Sequence, residues 1–259
     1  MELSVATFNL RNTTDRYDER KQLLLDTLAA VDFHICGLQE VRFEPSACHG
    51  HLSAYRAPLH TPYLSADDKF RIDGNCILVN TDKVDVISHS TLELSIARTA
   101  HRIVFQRRAE GRQTCSYTNV HLHHQLEAVD ETIRLEQAER TLAWMDALDK
   151  DQQVSISFLG GDFNAPPHEK AYSCILRSQF RSLYSQFHGT EPAQTFPTGL
   201  KADTMDVDPP LTVDYIFYKL GQDGLITHDV RIFGDKHKHN DTTIYPSDHV
   251  GVFARVSIP

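Results

Sequence analysis

The chain lacks the features of membrane and secreted proteins. No stretch approaches the roughly 20 consecutive apolar residues of a membrane helix, so we expect no membrane span. The N-terminus, Met1-Glu2-Leu3-Ser4, has neither the basic region nor the apolar region of a signal peptide. We therefore expect an intracellular protein without a signal peptide, located in the cytoplasm or the nucleus.

Paired cysteines are missing as well. The chain has 5 cysteines, an odd number, and none of them forms a Cys-x-x-Cys pair. Cys36, Cys76 and Cys115 fall within apolar runs. This distribution predicts buried free thiols in a reducing compartment.

Positive charge is scarce, with 26 lysines and arginines against 35 acids and a net charge of −9. This balance argues against a generally cationic nucleic-acid-binding surface. It does not exclude a nucleic-acid enzyme, because a site that gathers carboxylates for a divalent cation makes a chain more acidic. Five arginines lie within residues 98–112 beside a single acid, Glu110. This segment is either a solvated hairpin or a rim that faces phosphate.

Two common catalytic motifs are absent. There is no Gly-x-Ser-x-Gly elbow for a nucleophilic serine and no Gly-x-x-x-x-Gly-Lys phosphate loop. The chain also has no internal repeat, low-complexity tract or linker composition. We therefore expect residues 1–259 to form a single domain.

Hydrophobic periodicity predicts a mixed α/β chain. Helices are predicted over residues 18–31, 128–148 and 168–178. Strands are predicted over residues 3–8, 33–38, 76–80, 84–88, 92–96, 102–106, 114–122, 155–159, 213–218, 230–233 and 250–256. Residues 190–211 form a loop with no periodicity, and loops of this length in compact domains are typically functional or mobile.

Polar residues stand where several of these strands end, and a rigid sheet can hold such side chains in place. Glu40 terminates an apolar strand and is either a solvated strand end or an oxygen ligand for Mg²⁺. Asn9 could orient a carboxylate, touch the ion or simply form a turn. His121 shares one strand face with Asn119 and His123. It could be a structural histidine or a zinc ligand, although no cysteine or acid has the usual spacing for zinc; we favour a histidine that faces phosphate.

Two further clusters contain acids. Gly160-Gly161 allows a tight strand exit before Asp162. In an extended chain Asp162 and Asn164 share a face, so the acid could take a proton from water while the amide positions the phosphate; the alternative is an ordinary turn.

Asp214 lies inside an apolar strand and needs a partner when buried. It could hold His249 in one tautomer and stabilise its protonated form. His249 closes the triplet Ser247-Asp248-His249, which could bind a metal, hold a phosphate, move a proton or form a turn.

Taken in order, these clusters resemble the endonuclease/exonuclease/phosphatase superfamily. The matching stretches are Ala6-Thr7-Phe8-Asn9, Leu38-Gln39-Glu40-Val41, Asn119-Val120-His121-Leu122, Gly161-Asp162-Phe163-Asn164, Val213-Asp214-Tyr215-Ile216-Phe217 and Ser247-Asp248-His249. The resemblance implies an α/β fold, a four-layer α/β sandwich in which two mixed β-sheets pack face to face with helices on the outside. It also implies Mg²⁺ or Mn²⁺ held chiefly by Glu40, with Asn9 and Asp248 near the ion.

The same resemblance implies in-line hydrolysis by positioning and electrostatics. Asp162 would orient or deprotonate the attacking water, with assistance from Asn164. His121 and His249 would bind the scissile phosphate, and Asp214 would orient His249.

Two residues are candidates for substrate binding. The segment 73–77 is similar to the one that brings an asparagine or an aromatic to the phosphate in this superfamily, which makes Asn75 a candidate. Phe196 could stack on a base or pack within its own loop.

The expected function is a metal-dependent phosphodiesterase that acts, as a monomer, on nucleic acid or nucleotide ends. The alternative is a phosphatase or phosphodiesterase for a small molecule or lipid head group, of the inositol-phosphate or sphingomyelinase type. A third hypothesis is an inactive scaffold that uses the fold for binding. Arginine segment 98–112 and Phe196 favour nucleic acid, whereas the net charge of −9 favours a small substrate.

Overall fold

The computed structural model describes residues 2–11, 15–42, 60–64, 73–95, 98–108, 113–124, 127–205, 208–220 and 224–258. Ile96, Glu110 and Arg112, which belong to predicted features, lie outside these residues. In the described part, no helix combines the length and the apolar character needed to cross a membrane.

The described residues form strands and helices in alternating groups. The strands are β1 Glu2–Asn9, β2 Ile35–Arg42, β3 His60–Leu64, β4 Asp73–Asn80, β5 Val84–Ser95, β6 Arg98–Arg107, β7 Cys115–His121, β8 Ile156–Asp162, β9 Arg181–Ser182, β10 Asp214–Leu220, β11 Ile226–Phe233 and β12 Gly251–Ser257. The helices are α1 Tyr17–Ala29, α2 Ala128–Asp151, α3 Lys170–Arg177 and α4 Leu183–His188.

The strands form two six-stranded sheets. The first has the order β11-β12-β1-β2-β4-β3 and the second the order β5-β6-β7-β8-β10-β9. Strands β1 and β2 pair in parallel, as do β7 and β8, and the other pairs are antiparallel. Each sheet is therefore mixed, as expected.

Three apolar clusters define the layers. The inner cluster joins side chains of the two sheets, such as Val5 and Ile35 of the first with Phe105 and Phe158 of the second. A second cluster packs α2 and α3 on the outer face of the second sheet, and a third packs α1 on the outer face of the first. The layers are thus helix, sheet, sheet and helix, which confirms the four-layer sandwich.

Sequence periodicity found the long elements but not the short ones. The two strands predicted over residues 84–88 and 92–96 belong to one strand, β5, which pairs with β6 along its length despite irregularities near Ser88 and Ser95. Strands β3 and β9 and helix α4 were not predicted, since segments this short carry too little periodic signal. Cys36, Cys76, Cys115 and Cys174 are buried free thiols, as expected.

Candidate active site

The polar residues predicted at strand ends lie at one edge of the sandwich. They lie at or near the carboxyl ends of β1, β2, β7 and β8, at the amino end of β10 and just before β12. The register of the second sheet sets His121, Asp162 and Asp214 side by side on three neighbouring strands. Because β7 and β8 are parallel, their carboxyl ends lie side by side. Because β10 is antiparallel to β8, its amino end lies beside those two ends.

Asn9 joins the two sheets at this edge. Its amide nitrogen Nδ2 donates to Glu40 Oε1 at 3.1 Å and to Asp162 Oδ2 at 2.9 Å. Its oxygen accepts the backbone N–H of Arg11 at 2.9 Å. Glu40 has a φ of 55° at an irregularity in the pairing of β2 with β4. A positive φ is unfavourable for glutamate, and such backbone strain is typical of functional sites.

Asp162 is a buried carboxylate. Burial raises the pKa of Asp162 to about 6, although His249, the backbone N–H of Asn164 and the amide of Asn9 stabilise its charged form. The carboxyl group is therefore largely ionised at neutral pH and protonated in mild acid. A carboxylate with a pKa near neutrality is suited to accept a proton from water.

Gly161 permits the close approach of β7 and β8 that places Asp162. Its φ is 146°, and a Cβ at this position would lie 2.0 Å from the carbonyl oxygen of Val120. We expect Gly161→Ala to lower the free energy of unfolding by at least about 3 kcal/mol, because both the backbone and the β7–β8 contact must shift. Urea unfolding measures this loss.

Gly189→Ala is the matched control for that substitution. Gly189 also has a positive φ, 86°, but no atom of the described residues lies within 4 Å of the point that its Cβ would occupy. Its expected loss is about 1–2 kcal/mol, from backbone conformation alone. Equal losses in the two variants would show that crowding at Val120 does not constrain the site.

His121 lies against Arg98. Its Nδ1 is 3.1 Å from Arg98 Nη1, and its Nε2 is 3.6 Å from Asp162 Oδ2 and 4.0 Å from Glu40 Oε1. Burial, and then the charge of Arg98, hold the pKa of His121 well below its usual range. The imidazole is therefore neutral. His123 bonds to Asp130 instead, so the neighbouring imidazoles do not converge on one zinc ligand set.

His249 has the opposite environment. Its Nδ1 is 2.9 Å from Asp214 Oδ2, and its Nε2 is 3.8 Å from Asp162 Oδ2. Burial disfavours the imidazolium, but Asp214 and Asp162 outweigh burial and raise the pKa of His249 to about 10. His249 is thus a cation at neutral pH. Phe196 covers its ring, with centroids 4.7 Å apart and planes tilted by 34°, so Phe196 is packed on the site and only 8% exposed.

Asp248 is paired with a residue that the sequence did not suggest. Its Oδ2 accepts a short hydrogen bond from Arg11 Nη1, and its Oδ1 accepts from Ser247 Oγ at 3.2 Å. Arg11 also binds Asp15 at 2.6 Å. Asp248 is expected to lie near Asn9, and Arg11 connects the two residues because it contacts both.

The two remaining asparagines make structural hydrogen bonds. Asn75 is buried, and its Nδ2 donates to the backbone oxygen of Thr99 at 2.7 Å, which links the two sheets. Asn164 donates through Nδ2 to the backbone oxygen of Leu122 at 3.1 Å. The backbone N–H of Asn164, and not its side chain, donates a hydrogen bond to Asp162 Oδ1 at 2.9 Å.

The described part of the arginine segment, residues 98–108, does not direct all of its arginines toward the site. Arg98 alone among its described members contacts a site residue. Arg102 is buried and paired with Asp149, Arg107 binds the backbone oxygen of Glu2, and Arg108 pairs with Asp85. Position along β6 explains the difference between the first two: Arg98 begins the strand beside His121, whereas Arg102 lies four residues further along and pairs with Asp149 of α2.

A layer of buried amides under the site was not predicted. Gln39 Nε2 donates to Thr7 Oγ1 at 2.9 Å and to Asn119 Oδ1 at 2.6 Å. Asn119 Nδ2 donates to the backbone oxygens of Leu38 and Cys76. These buried hydrogen bonds fix the spacing of the two sheets, although Gln39 Oε1 has no partner among the described residues. Their position one or two residues before Glu40 and His121 was the available signal in the sequence.

Arg20 is a second residue that sequence reasoning missed. It is fully buried in α1 and donates to the backbone oxygens of Leu10, Arg11 and Pro246. These bonds join the segment after β1 to the segment before Ser247. The sequence signal was the position of Arg20, four and eight residues before Leu24 and Leu28 and therefore on the same buried face of α1.

The donor set at this edge fits a hard divalent cation. Glu40 and Asp162 flank the amide of Asn9, and oxygen ligands are those that Mg²⁺ and Mn²⁺ prefer. Asp162, Asp214 and His249 also present ligand atoms within 4.8 Å of one another. Asp214 Oδ1 is buried and has no hydrogen-bond partner among the described residues. Carboxylate charge is thus concentrated here.

Comparison with known proteins identifies the family. The family described as "Endonuclease/Exonuclease/phosphatase family" matches residues 6–249. A humanized D. rerio TDP2 with 14 mutations is 18% identical, with a TM-score of 0.79 and 99% of each chain covered. D. rerio TDP2 complexed with single strand DNA product is 17% identical, with a TM-score of 0.77 and 99% of each chain covered.

The human Nocturnin catalytic domain with bound sulfate has a TM-score of 0.78 at 19% identity, covering 100% of this chain and 94% of that domain. At such identities these likenesses show the fold alone. No curated protein matches the chain in sequence. The family match spans most of the chain, and the chain therefore belongs to the endonuclease/exonuclease/phosphatase family.

Proposed function

We propose that this protein is a divalent-metal-dependent phosphodiesterase that acts on nucleic acid or nucleotide ends. The observation that carries the proposal is the contrast between a neutral His121 and a cationic His249, with Asp162 3.6 Å from one and 3.8 Å from the other. A donor, a cation and a carboxylate around one point are what hydrolysis of a phosphate ester requires.

Glu40 would hold Mg²⁺ or Mn²⁺, with Asn9 beside it. When bound, the ion polarises a phosphoryl oxygen and offsets its negative charge. Asp248, which is expected near the ion, accepts hydrogen bonds from Arg11 and Ser247, and we propose that it also supports the site through Arg11.

The side chains of the second sheet would carry out proton transfer and charge stabilisation. Asp162, oriented by the backbone N–H of Asn164, would accept a proton from the attacking water. His249 would place its cationic Nε2–H against a non-bridging oxygen while Asp214 binds its Nδ1. His121 would donate a second hydrogen bond to the same phosphoryl group. These roles are positioning and electrostatics, the dominant contributions to phosphoryl transfer.

The structural neighbours support a nucleic-acid substrate. D. rerio TDP2 was solved with a single strand DNA product, and human Nocturnin with a sulfate anion. Both have the fold of this chain over nearly its whole length. We infer that the edge of the sandwich that carries these residues takes a single-stranded end in a similar way.

One observation favours the second candidate, hydrolysis of a small-molecule or lipid head-group phosphate. The net charge is −9, and Arg102, Arg107 and Arg108 are engaged in contacts within the protein. A long polyanion gains much of its affinity from free basic residues. A short single-stranded end needs few of them, which is why we favour an end over a duplex.

A substrate panel with Mg²⁺ tests the proposal. The panel contains single-stranded DNA, single-stranded RNA, abasic duplex DNA, nucleotides and inositol phosphates. We expect the highest kcat/KM on a single-stranded end or a nucleotide. Preference for inositol phosphates by more than about tenfold, or about 1.4 kcal/mol, would favour the second candidate. Absence of turnover on the whole panel would favour an inactive scaffold.

A further inference from the structure

The two histidines of the site have partners of opposite charge. His249 faces the carboxylate of Asp214, whereas His121 faces the guanidinium of Arg98. The partner of a histidine ring nitrogen decides which nitrogen carries the proton. Asp214 and Arg98, which contact the Nδ1 atoms of the two rings, therefore favour different protonation states of His249 and His121.

A hydrogen bond from an arginine determines which ring nitrogen of a neutral histidine carries the proton. A guanidinium has five N–H donors, no acceptor, and is always charged in proteins. Arg98 Nη1 lies 3.1 Å from His121 Nδ1, so this nitrogen must accept a hydrogen bond and cannot carry a proton. The proton of the neutral ring is then on Nε2.

The opposite nitrogen faces the reaction centre. His121 Nε2 lies 3.6 Å from Asp162 Oδ2 and 4.0 Å from Glu40 Oε1, and the His121 side chain is 8% exposed. An N–H directed between two carboxylates is a hydrogen-bond donor at the place where a phosphoryl oxygen would bind. With the other tautomer, the same atom would be an acceptor and would repel that oxygen.

We propose that Arg98 is a positioning residue that holds His121 as the neutral tautomer with its proton on Nε2. The second branch of the guanidinium, Nη2, lies 3.1 Å from His124 Nδ1. This contact fixes the plane of the fork, so Nη1 is directed at His121. The tautomer follows from the contacts alone; its value for catalysis rests on the proposed phosphoesterase function.

Nitrogen-15 NMR of histidine-labelled protein tests the tautomer without an activity assay. We expect the His121 ring to show an unprotonated Nδ1 and a protonated Nε2 in the wild type, assigned through a His121→Gln variant. In Arg98→Met, the two tautomers should mix or the ring should become protonated. Arg98→Lys keeps a donor and should retain part of the wild-type pattern.

Arg108→Met is the matched control, because Arg108 directly follows the other end of β6 and pairs with the exposed Asp85 away from the site. Its His121 signals should equal those of the wild type. An unchanged His121 pattern in Arg98→Met would overturn the proposal, as would a wild-type ring that carries its proton on Nδ1.

Kinetics then separate positioning from direct substrate binding. Loss of an orienting partner typically lowers activity by about 10–100-fold. We expect this loss in kcat for Arg98→Met, with KM changed by less than about threefold, and partial recovery in Arg98→Lys. A raised KM with unchanged kcat means that Arg98 only binds substrate, and this would overturn its positioning role. If no substrate is turned over, the proposed function fails while the NMR result still decides the tautomer.

Discussion

Asp162→Asn should lose about 10²–10⁴-fold in kcat, because asparagine cannot accept the proton of the attacking water. The same substitution should make the protein more stable at neutral pH. A buried carboxylate with its pKa raised from 3.8 to about 6 is ionised at a cost to the folded state. The isosteric amide removes that charge and keeps the shape.

The pH dependence of this stability has a definite sign. Since the folded pKa exceeds the unfolded one, the contribution of Asp162 is fully favourable below about pH 4 and is lost as pH rises through about 6. The stability advantage of Asp162→Asn should therefore grow between pH 4 and pH 7, to about 1–3 kcal/mol. Urea unfolding at several pH values, without added metal, measures it.

Asp146→Asn is the control, since Asp146 is half-exposed and pairs with Lys219 outside the site. It should keep wild-type turnover and change stability by less than about 0.5 kcal/mol. An Asp162→Asn variant that retains wild-type kcat would show that Asp162 is not the proton acceptor. If Asp162→Asn has a lower free energy of unfolding than the wild type at pH 7, the folded protein stabilises the negative charge of Asp162.

Activity should rise with pH through about 6 and fall near 10. The acid limb follows the ionisation of Asp162, and the alkaline limb follows the loss of the proton on His249. The two groups lie 3.8 Å apart, so the limbs belong to the coupled pair. His249→Ala should remove most turnover, because a neutral methyl group cannot stabilise charge on the phosphate.

Asp214→Asn should move the alkaline limb to lower pH by about 1–3 units. Asp214 is the strongest of the groups that raise the pKa of His249, and its loss leaves burial less opposed. The kcat at neutral pH should fall as well, because part of the imidazolium is lost. The measurement is kcat against pH from 5 to 11.

Asp26→Asn, on the exposed surface of α1, is the control for that profile and should leave both limbs in place. An unchanged alkaline limb in Asp214→Asn would mean that the cation on His249 does not depend on Asp214.

The pKa of His249, like that of Asp162, is higher in the folded protein than in the unfolded chain, so protonation of His249 stabilises the fold. This contribution is full below about 6.5 and is lost as pH rises through about 10.

The convergence of the candidate site residues could be predicted from the sequence because they lie at or near the ends of strands. Period-two alternation locates the strands, although β8 continues through Gly160 and Gly161 to Asp162 and β2 continues past Glu40 to Arg42. The family resemblance implies which strand ends meet. This was enough to bring Asn9, Glu40, His121 and Asp162 together, and the sheet register and hydrogen bonds agree. Their catalytic roles remain predictions.

The partners of these residues could not be predicted, since they depend on packing between distant segments. Arg11 and Asp248 are 237 residues apart, and nothing local to either indicates the other. The ring of Phe196 lies on His249 because the loop of residues 190–211 is bonded to the segment before β12 through Thr195 and Thr198. Charge states follow from such neighbours, so the contrast between His121 and His249 required the structure.

Chelation followed by re-addition of metal tests the central claim most directly. The protein is treated with EDTA, desalted, and assayed on a single-stranded DNA end and on a nucleotide while Mg²⁺ is titrated back. Metal-dependent phosphoester hydrolysis at this site predicts loss of turnover on chelation and full recovery with Mg²⁺, and no recovery in a folded Glu40→Gln variant. Turnover that survives chelation, or wild-type recovery in Glu40→Gln, would contradict it.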